Sequence, residues 1–322
     1  CKYFAENMKF IPKTLLILTV ISAAGCSRSR YETFSGYAQG GTYSVKANLK
    51  GVSVPRETVA AAIDSLLEEI DFSISGYNKR SLLSRRNAGE EIVPDRHFKA
   101  LLELSDKYYE MTDGAFDVWS APLFDIWGFG FTADSLPSPE RIAAAKALCK
   151  EHKVVNFNAI AQGYTCDVIA SYLYSIGVKD MLVDIGEIYC DGLNPGGKGW
   201  SIGVDNPVDG NSTPGRDLRG IWRSDGSGQG IVTSGNYRKF YIRDGKKYAH
   251  TIDPRSGMPV QHDLLSATIV AASAAEADAL ATACMVMGPD AAREFVLSHP
   301  GIEAYLITSG GTWASGGFWT EK

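Results

Sequence analysis

Strand and helix signals follow one another in this chain without strict alternation, and that order constrains the fold class. The segment "GIVTSGNYRKFYIRDGKKYAHTID", residues 230–253, reads as successive strands with a hairpin turn at Asp244-Gly245. "LLSATIVAA", residues 264–272, adds another strand before any helix signal. Only then comes a helix, "AAEADALATACMVMG", closed by Gly288. "GIEAYLI", residues 301–307, is a last core strand, and Trp313 to Trp319 is expected to pair with it. A doubly wound sheet needs a helix between successive strands. This order instead predicts an α+β fold, one compact domain of mixed sheets and helices.

Upstream, residues 34–48 alternate as an opening strand. Val59, Ile63, Leu66, Leu67 and Ile70 recur at helical spacing. A second helix is expected from about Arg96 to Met111, stopping before Asp113-Gly114. Ser138, Pro139 and Glu140 form a helix start, and Ala161 to Ile176 reads as a helix ended by Gly177. "KDMLVDIG" is a short buried strand, and "GWSIGVDNP" is a strand closed by Asn-Pro. Residues 206–217 and 224–230, rich in Gly, Ser, Asp and Pro, read as loops. The 322 residues suffice for a sizeable core, and the net charge of −5 with no basic block argues against a nucleic-acid binder.

The N-terminus stands outside this fold. From Met8 the chain reads "MKFIPKTLLILTVISAAGC". Lys9 and Lys13 precede an apolar run, Leu15 to Ile21, too short to span a bilayer as a mature helix. With Ala-Ala-Gly-Cys at its end, the stretch resembles a bacterial lipoprotein signal. The resemblance implies cleavage before Cys26 and lipid on its sulfur. An ordinary cleaved signal with an incidental cysteine is the other reading. Residues 1–7 precede the first methionine and read as upstream of the start. The expected organisation is 1–25 upstream residues and signal, 26–33 lipidated cysteine and tether, and 34–322 the domain. A lipoprotein is anchored to a bacterial membrane and faces the periplasm or the extracellular side. Cys149, Cys166, Cys190 and Cys284 remain, without CxxC spacing; Cys166 and Cys284 fall within apolar helical patterns and read as buried free thiols, a disulfide staying open.

Several segments carry candidate chemistry. Asp278 and Thr282, four apart, share one helix face. A carboxylate and a hydroxyl there are hard ligands of the kind Mg²⁺ requires, or else a surface pair with a local hydrogen bond. Their neighbours Ala277, Ala279, Leu280, Ala281 and Ala283 are small and apolar, so a buried Asp278 would need a partner or an ion. "NFNAIAQGYTCD", residues 156–167, runs a strand end into a helix opening with small residues, a place for phosphate or a plain junction. In "DGAFDVWSAPLFDIWGFG", Phe116, Trp119, Phe124, Trp127 and Phe129 form either core or a wall for a flat ring. Tyr77 and Asn78 offer stacking in a loop. Thr233, Ser234 and Gly235 lie at a strand end, but no Gly-x-Ser-x-Gly elbow surrounds Ser234. His97, His152, His262 and His299 stand apart, without zinc-site spacing. "HTIDPRSG", residues 250–257, gathers a histidine, an aspartate and an arginine. Asp253 before Pro254 reads as a turn cap, and Arg255 suits a phosphate or a carboxylate.

Taken in order, these segments resemble the FAD:protein FMN transferase, or ApbE, family. The resemblance rests on "GGTYSV", "SGYNKRSLLSRRN", "DGAFD…PLFDIWGFG", "NFNAIAQGYTCD", "VDIGEI", "GWSIGVDNP", "IVTSGNYRKF", "YAHTIDPRSGMPV" and "ADALATACMVMG". It implies magnesium-dependent transfer of FMN from FAD onto a Thr or Ser hydroxyl of a target protein, releasing AMP. By resemblance, Tyr77, Ala115, Phe116, Asp117, Asn156, Gln162, Thr251 and Ile252 would contact FAD. The Ala159 carbonyl, Asp278 and Thr282 would hold Mg²⁺, and His250 would act as base. The acceptor would be a subunit of a membrane redox complex. The chain departs from the family pattern at Gly40, Asn156 and Gln162, and "VDIGEI" is one glycine shorter. Two alternatives are an FAD pyrophosphatase, which uses the same residues to yield FMN and AMP, and a lipid-anchored protein that holds FAD without turnover and needs no metal.

Overall fold

The computed structural model describes residues 30–322, except 130–135, 209–210, 212, 214, 237–239, 244–245, 317, 319 and 322. Cys26, the signal stretch, the Asp244-Gly245 turn and Trp319 therefore lie outside the described residues. The chain opens with strands β1 (Tyr31–Ala38) and β2 (Gly41–Asn48). Helices α1 (Arg56–Ile74), α2 (Leu82–Asn87), α3 (Arg96–Met111), α4 (Ala121–Ile126), α5 (Pro139–Lys150) and α6 (Ala161–Ser175) follow. Then come β3 (Met181–Asp184), β4 (Ile188–Asp191), β5 (Ser201–Asp205), β6 (Leu218–Arg223) and β7 (Gln229–Gly235). Short strands β8 (Phe240–Arg243), β9 (Lys246–Ala249), β10 (Ile252–Asp253) and β11 (Met258–Pro259) precede the long β12 (Leu264–Ala271). Helices α7 (Ala274–Met287) and α8 (Pro289–Ser298) lead to β13 (Glu303–Thr308), β14 (Gly311–Ala314) and β15 (Thr320–Glu321).

An eight-stranded antiparallel sheet runs β1-β2-β3-β4-β7-β12-β13-β14, and β15-β6-β5 form a smaller sheet. Side-chain alternation gives the large sheet two buried faces. Val232, Ile269 and Leu306 enter the core under the helices. Their neighbours Ile231, Val270, Tyr305 and Ile307 face the small sheet, against Trp200, Trp222 and Phe318. Helix α7 is apolar nearly all round, and such a helix must be covered on every side. It packs on β7 and β12, with α6 and α8 beside it. Among the described residues no helix is long and apolar enough to cross a membrane.

The expected α+β domain is present. The Ser138 hydroxyl accepts from the Arg141 N–H and Pro139 opens α5, so that start forms as its residues require. Three expectations change. The single strand over 34–48 is a hairpin, because Gln39 and Gly40 both take positive φ (51° and 81°) and turn the chain within two residues. Its first strand pairs Tyr31, Glu32 and Thr33 with Asn48, Ala47 and Lys46, so the domain starts inside the expected tether. Leu66 is only partly buried, whereas Val59, Ile63, Leu67 and Ile70 enter the core. Cys149, Cys166, Cys190 and Cys284 are buried free thiols.

Candidate active site

The site grows from the meeting of α6 and α7. A Cβ on Gly163 would lie 2.3 Å from the Ala274 carbonyl oxygen and 2.8 Å from Asp278 Cβ. Glycine thus lets the two helices approach at backbone distance. In that contact the Gly163 N–H donates to Asp278 Oδ2 at 3.1 Å. Gly163 is in the first turn of α6, so the carboxylate faces the positive end of a helix. Asp278 is buried, and burial raises its carboxyl to about 7. The nearby Asp167 charge adds to the rise, and the Gly163 hydrogen bond opposes it.

One turn further along α7 is Thr282. Its Oγ1 lies 3.5 Å from the Ser234 hydroxyl at the end of β7, the outer limit of a hydrogen bond. Ala159 stands two residues before α6 begins. The donors brought together here are the Asp278 carboxylate and the Thr282 and Ser234 hydroxyls. No group of three or more His, Cys, Asp and Glu side chains able to hold a metal occurs among the described residues. Such a donor set fits Mg²⁺, which binds one or two carboxylates and completes its shell with water and substrate phosphate. The buried, poorly solvated Asp278 supplies the charge this requires.

The histidine loop comes to the same helix. Thr251 is buried and donates from Oγ1 to Asn236 Oδ1 at 2.5 Å, while its carbonyl accepts from the Val260 N–H at 3.1 Å. Ile252 is buried in β10, which packs against α7. His250 is half-buried, with its ring edge-on to Phe129 at 6.3 Å between centroids. Asp253 caps its turn as expected, accepting from the Arg255 N–H. Arg255 takes the carboxylate partner, with Nε 2.9 Å from Asp253. Trp127 Nε1 donates to the Gly257 carbonyl at 2.9 Å and fixes the far side of this turn.

The remaining candidates lie at three further places. The Asn156 N–H donates to the Val118 carbonyl at 2.9 Å, which sets Asn156 beside the 115–117 segment. Ala115 and Phe116 are buried in the core, Phe116 edge-on to Tyr108, so Asp117 carries the exposed surface of that segment. Asp117 Oδ1 accepts from the Trp119 N–H, and burial raises its carboxyl. Gln162 Nε2 donates to the Ile185 carbonyl at 3.0 Å, tying the first turn of α6 to the shortened "VDIGEI" turn. Tyr77 lies on the exposed loop between α1 and α2. The aromatic run divides: Phe116 and Trp127 are core, while Trp119, Phe124 and Phe129 are partly exposed.

Two residues here escaped sequence reasoning. Ser234, at a strand end without a nucleophile elbow, faces Thr282. Asp167, the last residue of the 156–167 segment, has no role legible in the sequence, yet both its oxygens accept from the start of α7, at 2.8 Å from the Ala274 N–H and 2.9 Å from the Ala275 N–H. The available signal was its place four residues after Gly163, on the same helix face.

Residues 40–306 match the ApbE family. A FAD:protein FMN transferase of Vibrio cholerae is 33% identical over 296 residues, covering 85% of this chain and 87% of the relative. One from Escherichia coli K12 is 32% identical over 300 residues, covering 84% of each. Among solved structures, the flavin transferase ApbE from Vibrio cholerae superposes with a TM-score of 0.76 at 30% identity, covering 89% of this chain and 98% of that one. The apo flavinyl transferase ApbE of Pseudomonas stutzeri gives 0.77 at 31% identity, covering 89% and 95%. The fold, the family match over most of the domain and these full-length likenesses agree: the chain belongs to the ApbE family.

Proposed function

We propose that this protein is a magnesium-dependent FAD:protein FMN transferase that fixes FMN on a Thr or Ser hydroxyl of a target protein. The observation that carries the reading is the buried Asp278, held at the α6 N-terminus beside Thr282 and next to the His250 loop. A flavin carrier without turnover has no need of a carboxylate whose burial is so costly.

The acceptor oxygen attacks the FMN-side phosphorus of FAD. A new P–O bond forms, the pyrophosphate P–O bond breaks, and AMP leaves with the bonding electrons. His250 takes the acceptor proton through its neutral imidazole. Bound Mg²⁺ supplies neutralisation of charge on the pyrophosphate, and Asp278, Thr282 and the Ala159 carbonyl would hold it. The first-turn N–H groups of α6 add a positive potential for the phosphates. Asp117, backed by the buried Ala115 and Phe116, joins Asn156, Gln162 and Tyr77 in binding FAD. Thr251, bonded to Asn236, and Ile252, on the strand beside α7, complete the FAD contacts and hold the histidine loop.

The lipobox-like Ala-Ala-Gly-Cys supports a lipid anchor at Cys26 and a place outside the cytoplasm. There the acceptor would be a membrane redox subunit with an exposed threonine. The test incubates the protein from residue 27 onward with FAD, Mg²⁺ and a domain bearing such a threonine. In-gel flavin fluorescence and AMP release are followed. Label on the acceptor, lost with EDTA and in His250→Ala, is the expected result. AMP without label would replace transfer with hydrolysis.

A further inference from the structure

Helix α7 is fixed to α6 at two places one helical turn apart. Asp278 accepts from the Gly163 N–H at 3.1 Å. Four residues back on α7 and four onward on α6, the Ala274 and Ala275 N–H groups donate to the two oxygens of Asp167 at 2.8 and 2.9 Å. Residues four apart lie on one helix face, so both contacts belong to a single interface. Between them Gly163 leaves no room even for a methyl group.

Every leading N–H of α7 can be assigned. Ala274 and Ala275 go to Asp167, Glu276 to the Ser273 hydroxyl at 3.1 Å, and Ala277 to the Ser273 carbonyl at 3.1 Å. Ser273 is the local cap and belongs to α7 itself. Asp167 differs: it is a cap supplied by the neighbouring helix. A local cap stabilises a helix without saying where the helix sits. A cap from α6 fixes the axial and rotational place of α7 against α6, and so places Asp278 one turn later.

We propose that Asp167 is a positioning residue for the metal site, setting the register of α7 so that Asp278 and Thr282 stand at the α6 N-terminus. This rests on the reading of Asp278 and Thr282 as magnesium ligands. Groups that orient metal ligands from outside the first coordination sphere typically change metal affinity by about 10- to 100-fold when removed.

The test measures the magnesium concentration giving half of the maximal thermal shift, for the protein from residue 27 onward without FAD. In Asp167→Ala that concentration is expected to rise about tenfold or more. Asp167→Asn keeps one acceptor oxygen and should fall between the wild type and the alanine variant. It carries the comparison if the alanine variant fails to fold. Ser273→Ala removes the local cap of the same helix end. It should lower the melting temperature and, because the Ser273 hydroxyl also bonds Asp167, shift the magnesium midpoint by much less than Asp167→Ala does. Equal midpoint changes in the Asp167 and Ser273 variants, or none in the Asp167 variants, would overturn the inference and leave the metal site standing. Asp278→Ala should abolish the shift. A wild-type chain with no magnesium response would overturn the site reading, and this inference with it.

Discussion

Gly163 gives its backbone N–H to the Asp278 carboxylate across 3.1 Å, and it does so from a point where no other residue fits. The nearest atoms to an added Cβ are the Ala274 carbonyl oxygen at 2.3 Å, its carbon at 2.6 Å and Asp278 Cβ at 2.8 Å. None is the far end of a flexible side chain, so Gly163→Ala must push α6 and α7 apart. Overpacking of this kind costs about 1–3 kcal/mol. The variant should unfold at lower urea concentration and lose most of its magnesium-induced thermal shift. A variant of native stability with an unchanged magnesium response would show the contact to be looser than described.

The same carboxylate makes metal binding pH-dependent. Burial raises Asp278 to about 7 and Asp167 to about 6, both above the ~3.9 of an unfolded aspartate. Between those values the folded state holds protons that the unfolded state has released. The metal-free protein therefore loses stability from these groups as pH rises from about 4 to about 7. Magnesium needs the ionised carboxylate, so it competes with the proton at Asp278. The thermal shift given by magnesium over EDTA should be larger at pH 8 than at pH 6. Asp278→Asn should remove the shift at both. Equal wild-type shifts at the two pH values would show that Asp278 does not carry the ion.

Part of this site was legible in the sequence and part was not. Asp278 and Thr282 were readable because both lie in one helix, four apart, among alanines that leave a carboxylate no water. The α5 start at Ser138-Pro139 was readable because capping involves near neighbours only. Strands β4 and β6 were missed because they are short and adjoin Gly-rich loops. The β1–β2 hairpin was missed because Gln39-Gly40 is a weaker turn signal than Asn-Gly. Ser234 and Asp167 depend on partners 48 and 107 residues away. No local pattern encodes such a meeting; the sheet order and the packing of α6 on α7 create it.

Thr282 tests whether the third turn of α7 binds metal through its hydroxyl. Thr282→Val keeps the branched shape and removes the oxygen. Its protein contact at 3.5 Å is long, so stability should change by less than about 1 kcal/mol. The magnesium midpoint should rise about tenfold or more, and Thr282→Ser should recover most of the loss. A valine variant with the wild-type midpoint would remove Thr282 from the ligand set.

The His250 loop depends on a buried pair, Thr251 donating to Asn236. Thr251→Val leaves the Asn236 side-chain oxygen without that partner, which costs about 1–3 kcal/mol. The loss falls between the residue before β10 and the residue after β7, beside His250 and away from the residues assigned to the metal. The turnover rate should therefore fall several-fold, by more than the KM for FAD rises, while the magnesium midpoint stays near wild type. Thr251→Ser restores the donor and should restore the rate. If KM rose and the rate held, the pair would serve flavin binding rather than the placement of the base.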